Sequence, residues 1–244
     1  MPWRRARTRG FPPSGNGASS FHLGWHLPPG AGHLVEAAVT LEVMRAPFVE
    51  HLYFWALQVG FPGAGGAHLG LQWNRAFPAS GAVNWGGYAM DGSLLRGTES
   101  TLGSMPGDPN TRDYPWQPER AYRLRVHRAG EGLWRGEVTD VATGVATTVR
   151  DLIAASEFLA EPMVWSEVFA RCDDPSVTVR WSDFAVMTER GDRLAPTALV
   201  VNYQAHAGGG CANTTSLLDD HGGALQVTNT ERTTSQGAEL PLPS

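Results

Sequence analysis

A chain of 244 residues, 42% hydrophobic and 18% charged, is long enough for one large β domain and too apolar for a disordered polymer. All 19 basic residues are arginine, set against 24 acidic ones for a formal net charge of -5. Beyond the first nine positions they are scattered rather than drawn into a stripe, which argues against nucleic acid, and no apolar run approaches the ~20 residues of a membrane span.

Residues 1–20 are rich in Pro, Gly, Ser and Arg and show no period, so the expectation is a flexible N-terminal arm. Its basic head is followed by no apolar segment of ~7 to 15 residues, so neither a general secretory nor a twin-arginine signal is complete here.

From residue 21 onward, short apolar stretches alternate with period two between turn clusters. The expected strands are 21–27, 33–44, 51–59, 67–73, 82–89, 120–128, 132–141, 146–153, 163–170, 177–187, 198–205 and 224–230. Glycines in "HRAGEGLW" and "DVATGVAT" supply tight turns that fold 120–153 into a three-strand antiparallel meander. Within it Tyr122, Leu124 and Val126 face the core, while Arg123, Arg125 and His127 face water. Only 150–160, free of Gly and rich in Ala and Leu, suits a helical turn.

The stretch "HLYFWALQVGFPGAGGAHLGLQWN" (51–74) carries the functional signal. On its second strand Ala67, Leu69, Leu71 and Trp73 share one face, and His68, Gly70, Gln72 and Asn74 share the other. On its first strand Gln58 belongs to the face that would continue this polar surface. Asn84 and Tyr88 repeat the feature on 82–89, as do Trp165 and Glu167 on 163–170. Amides, a histidine, a carboxylate and flat rings on one sheet supply the donor and acceptor pairs that sugar hydroxyls need and platforms for ring C–H faces. The expected ligand set is therefore Gln58, His68, Gln72, Asn74, Asn84 and Glu167 for hydrogen bonding, with Trp85, Tyr88 and Trp165 as stacking platforms.

The long irregular run 91–119 reads as a partly ordered loop near the mouth of a site. In it Asp108, Asn110 and Asp113 have the oxygen chemistry of a calcium site, as do Asp173 and Asp174, but a solvated turn accounts for each, so no metal and no cofactor is expected. Cys172 and Cys211 lie in polar turns, in a spacing that fits no zinc pattern; a disulfide and two separate thiols are both open, and the turn contexts favour the disulfide.

The order of "YFWALQVGF", "HLGLQWN", "YRLRVHR…GLWRGEVTDVATG" and "VWSEVFARC…VTVRWSDF" resembles the concanavalin A-like lectin and glucanase superfamily over residues 33–187. The resemblance implies an all-β, antiparallel β-sandwich of jelly-roll type whose concave sheet meets a polysaccharide. The organisation expected is an arm (1–20), a sandwich domain (21–190) and a C-terminal extension (191–244) adding edge strands to it. A lectin-like carbohydrate-binding domain is the first functional expectation, at an extracellular or cell-surface location.

Two alternatives stand beside it. One is a polysaccharide lyase or glycoside hydrolase on the same face, with Glu167, His68 and Tyr88 as candidate acid and base and Arg96 as a uronate partner. No E-x-D run supplies a carboxyl pair; Glu137 and Asp140 have opposite parity, and only Glu167, Asp183 and Glu99 from separate segments are left to converge. The other is a structural or protein-interaction domain, and the oligomeric state is left open.

Overall fold

The computed structural model describes residues 7–104 and 107–243. Among the described residues sixteen strands follow one another: β1 (Ser19–His26), β2 (Leu34–Arg45), β3 (Tyr53–Phe61), β4 (Gly65–Trp73), β5 (Gly81–Tyr88), β6 (Thr111–Asp113), β7 (Ala121–Gly130), β8 (Leu133–Asp140), β9 (Ala146–Ile153), β10 (Ala160–Val168), β11 (Thr178–Thr188), β12 (Arg193–Leu194), β13 (Ala198–Tyr203), β14 (Thr214–Leu218), β15 (Ala224–Thr228) and β16 (Glu239–Pro241). They form two antiparallel sheets, a jelly-roll-like sandwich. The first runs β16-β13-β1-β10-β3-β4-β5-β6; the second runs β14-β15-β11-β2-β7-β8-β9, with β12 paired to β11.

Alternation dictates which side chains lie between the sheets. Tyr53, Trp55, Leu57 and Val59 of β3, Leu69 and Leu71 of β4, and Val83 and Trp85 of β5 meet Tyr122, Leu124 and Val126 of β7 and Trp134 and Val138 of β8 in one continuous core. The 120–153 meander forms as expected, β7 on β8 on β9. No helix forms within 150–160: β9 stays on the ladder of β8 through Ile153, and the main-chain bonds made there outweigh a modest helical propensity.

One polar group bridges the layers. Gln226 of β15 accepts from Ser166 Oγ at 2.8 Å and Trp181 Nε1 at 3.0 Å, and donates to the Phe21 carbonyl at 2.8 Å. Because each of these buried groups is satisfied, the network locks β1 and β10 of the first sheet to β11 and β15 of the second at little desolvation cost.

Of the expected mobile arm, residues 1–6 lie outside the described residues. The rest is tied down: the Gly10 carbonyl accepts from Cys172 N at 2.7 Å, Thr8 Oγ1 accepts from Ala212 N at 2.9 Å, and Gly10 N donates to Asp173 Oδ1 at 2.9 Å. Those contacts sit on either side of a Cys172–Cys211 disulfide. Beyond residue 190, β13 and β16 extend the first sheet while β14 and β15 extend the second. Among the described residues no helix is long and apolar enough to cross a membrane.

Candidate active site

Five adjacent strands of the first sheet turn their outer faces to a cleft of about 610 Å³. Ser20 and His22 come from β1, Trp165 and Glu167 from β10, Gln58 from β3, His68 from β4 and Tyr88 from the end of β5. Register pairs His22 with Trp165, Gln58 with His68 and Ser20 with Glu167, and along β3 and β10 sets Gln58 opposite Met163 and Glu167 opposite Phe54, with Trp165 between them. Phe54, Ala56 and Trp165, with Met163 against them, make a small apolar cluster beneath the polar groups, separate from the main core.

That cluster controls how the polar atoms point. Trp165 is wedged edge-on against Phe54 and His68, with ring centres 4.9 and 5.6 Å apart, and its Nε1 donates to Gln58 Oε1 at 3.0 Å. With its oxygen engaged by the indole, the Gln58 amide has its Nε2 donors left without a hydrogen-bond partner among the described residues. Asn16, carried in by the docked N-terminal segment, donates from Nδ2 to Glu167 Oε1 at 3.4 Å.

Electrostatics follow from burial. Glu167 is raised above its ordinary carboxyl value by desolvation, which the Asn16 hydrogen bond only partly offsets. Desolvation drives the His68 imidazole down to about 4 and His22 below its usual range, so His68 is neutral except in acid. Among the cleft-lining residues Glu167 is the single carboxyl group.

The nine expected ligand residues divide. Gln58, His68, Tyr88, Trp165 and Glu167 converge on the cleft. Trp85 does not: it is fully buried between the sheets and donates from Nε1 to the Trp134 carbonyl at 3.2 Å. Gln72 and Asn84 share the cleft's sheet face but are buried farther along it; Asn84 donates to Thr111 Oγ1 at 2.9 Å, and Gln72 Oε1 accepts from Asn74 at 3.1 Å. Asn74 itself serves a turn, its Oδ1 accepting from Ala76 N at 3.1 Å. Asn16, Ser20, His22 and Phe169 were not among the expected residues and do line the cleft.

Asp108 caps the backbone, its Oδ1 accepting from Asn110 N at 2.9 Å and Thr111 N at 3.0 Å. Among the described residues no group of three or more His, Cys, Asp or Glu side chains could hold a metal ion.

The architecture and this cleft define an antiparallel β-sandwich with one desolvated carboxyl and an oriented amide on an outer sheet face. No protein-family model matches the sequence, and no curated protein matches it. Among solved structures the chain is similar to scytalido-glutamic peptidase bound to a peptide-based transition-state analogue, at 10% identity and a TM-score of 0.48, covering 87% of this chain and 98% of that one. It is also similar to SCP-B, a member of the eqolisin family of peptidases in complex with the tripeptide Ala-Ile-His, at 10% identity, a TM-score of 0.46 and the same coverages. A second scytalido-glutamic peptidase structure, with a transition-state analogue inhibitor, gives 11% identity and 0.46. At such scores the likeness assigns neither residues nor a reaction to this chain.

The carbohydrate expectations are corrected here. The similar structures just named are peptidases, not lectins, polysaccharide lyases or glycoside hydrolases. The chain's own geometry agrees: Trp85 is core, and Trp165 is 6% exposed and held edge-on, so neither offers an open face to a sugar ring. A single carboxyl also lacks the partner that glycosidic hydrolysis requires.

Proposed function

We propose that the chain hydrolyses peptide bonds in this cleft, with Glu167 as general base and then general acid and Gln58 as the donor to the developing oxyanion. The observation that carries the reading is Glu167, a lone desolvated carboxyl on the same cleft wall as the free amide donors of Gln58. A carboxylate there takes a proton from water as the water oxygen attacks the substrate carbonyl carbon, and Gln58 Nε2 hydrogen-bonds the oxygen on which negative charge accumulates. The proton held by Glu167 then passes to the amide nitrogen as the C–N bond breaks, which returns the carboxylate. A raised proton affinity suits both halves of this cycle, since the group must accept and release the same proton. The peptidases named above lend their class of reaction to this proposal, and its argument rests on the cleft.

Two coarser readings accompany it. The strand order supports a concanavalin A-like topology, which assigns no activity. The disulfide supports an extracellular or cell-surface setting, since such bonds persist in oxidising compartments.

The test is incubation of the purified protein with an unfolded protein substrate from pH 2 to 8, in normal and ¹⁸O-enriched water, with mass spectrometry of the products. Fragments carrying one ¹⁸O at each new C-terminus, lost in Glu167→Gln, are the expected result. Intact substrate throughout, or undiminished cleavage by Glu167→Gln, would overturn the proposal.

A further inference from the structure

Tyr88, at the rim of the cleft, pairs with Leu94, and Leu94 also lines a second cavity of about 630 Å³. Two of its walls come from edge strands of opposite sheets: Arg112 from β6 and Arg150 from β9. Each arginine is about 5% exposed.

Their partners are unusual for buried cations. Arg150 donates from Nη1 to the Pro109 carbonyl at 2.6 Å and from Nη2 to Asn110 Oδ1 at 2.9 Å, while its Nε is buried without a hydrogen-bond partner. Arg112 donates from Nη1 to the carbonyls of Asp108 and Thr111, both at 3.0 Å, and no hydrogen bond is made by its Nε or Nη2 among the described residues. No carboxylate comes within 4.0 Å of either guanidinium among those residues. Elsewhere three part-buried arginines are ion-paired, Arg125 with Glu36 at 2.6 Å, Arg135 with Asp151 at 2.8 Å and Arg180 with Asp219 at 2.5 Å, while Arg123 bonds the Asp183 carbonyl and the Thr40 hydroxyl.

Two buried like charges without a directly paired carboxylate are costly, because desolvation and mutual repulsion act in the same direction. Both effects hold the Arg150 guanidinium below its ordinary value, burial first and the charge of Arg112 second. The charges of Glu99 and Asp108 offset part of that cost from beyond ion-pair distance, but the Asp108 oxygen bonds its backbone turn and Glu99 is exposed at the rim, so neither meets the unpartnered N–H groups. The main chain is nevertheless shaped to keep the site, since a Cβ on Gly97 would stand 3.0 Å from Arg150 Cζ and 2.6 Å from the Asp151 carbonyl. Only a residue without a side chain lets this segment lie against the guanidinium.

We infer that this cavity is a binding site for an oxyanion, the carboxylate, phosphate or sulfate group of a small ligand, with Arg112 and Arg150 as its charge and Arg96 and Thr98 at its rim. The site is separate from the cleft and does not depend on the peptidase reading. An oxyanion seated there accepts from the unpartnered N–H groups and supplies a directly bonded countercharge; charge-assisted bonds of this kind are the stronger ones.

The test is thermal unfolding and calorimetric titration of the full chain with inorganic phosphate and, separately, with acetate, each against chloride at equal ionic strength. The expected result is a rise in Tm specific to one or both oxyanions and a saturable heat of binding, weakened on the order of tenfold in Arg112→Gln. A preference for phosphate points to a phosphoryl or sulfate ligand, and a preference for acetate to a carboxylate. Arg96→Ser, on the exposed rim, is expected to weaken binding about threefold and keeps the question answerable if the buried substitution does not fold. Equal Tm in all three salts, or full binding retained in Arg96→Ser and in any folded Arg112→Gln protein, would overturn the inference.

Discussion

Trp165 and Gln58, 107 residues apart in sequence, are joined by a hydrogen bond of 3.0 Å from the indole Nε1 to the amide Oε1. The bond aims the amide, and the amide's other end is what a substrate would meet. Trp165→Phe keeps an aromatic ring against Phe54 and His68 but frees the amide to rotate. The expected effect is a loss of about tenfold in kcat with little change in KM, against a loss of about 100-fold or more for Gln58→Leu. Steady-state kinetics on a peptide substrate measures both, and equal losses would show that Trp165 does more than orient Gln58.

Glu167 makes a stability prediction with a definite sign. Its folded proton affinity is raised, so the native state holds the proton more tightly than the unfolded chain. The contribution to stability is complete below the ordinary carboxyl value and is lost as pH rises through the folded value. Glu167→Gln is therefore expected to have a higher Tm than wild type at pH 7, with the difference shrinking toward zero near pH 3. A Tm below wild type at pH 7 would mean that the charged carboxylate is a net stabiliser.

His68 has the opposite sign. Its folded value near 4 lies below the unfolded imidazole, so protonation favours unfolding, and its contribution is present above the ordinary histidine value and lost as pH falls through about 4. In an NMR titration its ring proton is expected to move with a midpoint near 4, well separated from exposed histidines. A midpoint near 6.5 would show that solvent reaches the imidazole freely.

Gln226 holds three partners at once, two of them, Ser166 and Phe21, on the opposite sheet. Gln226→Leu leaves Ser166 Oγ, Trp181 Nε1 and the Phe21 carbonyl without their bonds, and a loss of about 3 kcal/mol is expected from urea unfolding. The double variant Gln226→Leu, Ser166→Ala is expected to recover part of it, because one stranded donor goes too.

The Cys172–Cys211 bridge spans 39 residues, and closing a loop of that length stabilises a chain by about 4 kcal/mol. Cys172→Ser with Cys211→Ser is expected to lower stability by that order. It should also speed amide hydrogen exchange in residues 8–17, whose docking partners flank the bridge and whose Asn16 reaches Glu167. Unchanged exchange there would detach the arm from the disulfide.

Periodicity, with glycine turns marking the 120–153 meander and the family resemblance naming the sandwich, pointed to the polar face that contains Gln58, His68 and Glu167, because a two-residue repeat assigns each side chain to one side of a strand whatever its neighbours are. The same parity sets His22 opposite Phe21, Leu23 and Trp25, and it separates Trp85 from Asn84 and Tyr88, so that His22 belongs to the cleft face and Trp85 to the core. The short strands β6, β12, β14 and β16 span two to five residues, too few to display a period, and they pair at or near sheet edges. Which strands adjoin is another matter: β1 lies beside β10 and β10 beside β3, so the cleft is assembled from pairings separated by more than 100 residues, and Arg112 and Arg150 meet only because β6 and β9 end opposite sheets. Strand order is decided by how two whole sheets bury their apolar faces against each other, a property of all the strands together and of no local segment. For that reason face and residue type were legible in the sequence, while the placing of Glu167 and Gln58 in one cleft, the docking of Asn16 and the gathering of two buried arginines around one cavity belong to the tertiary structure.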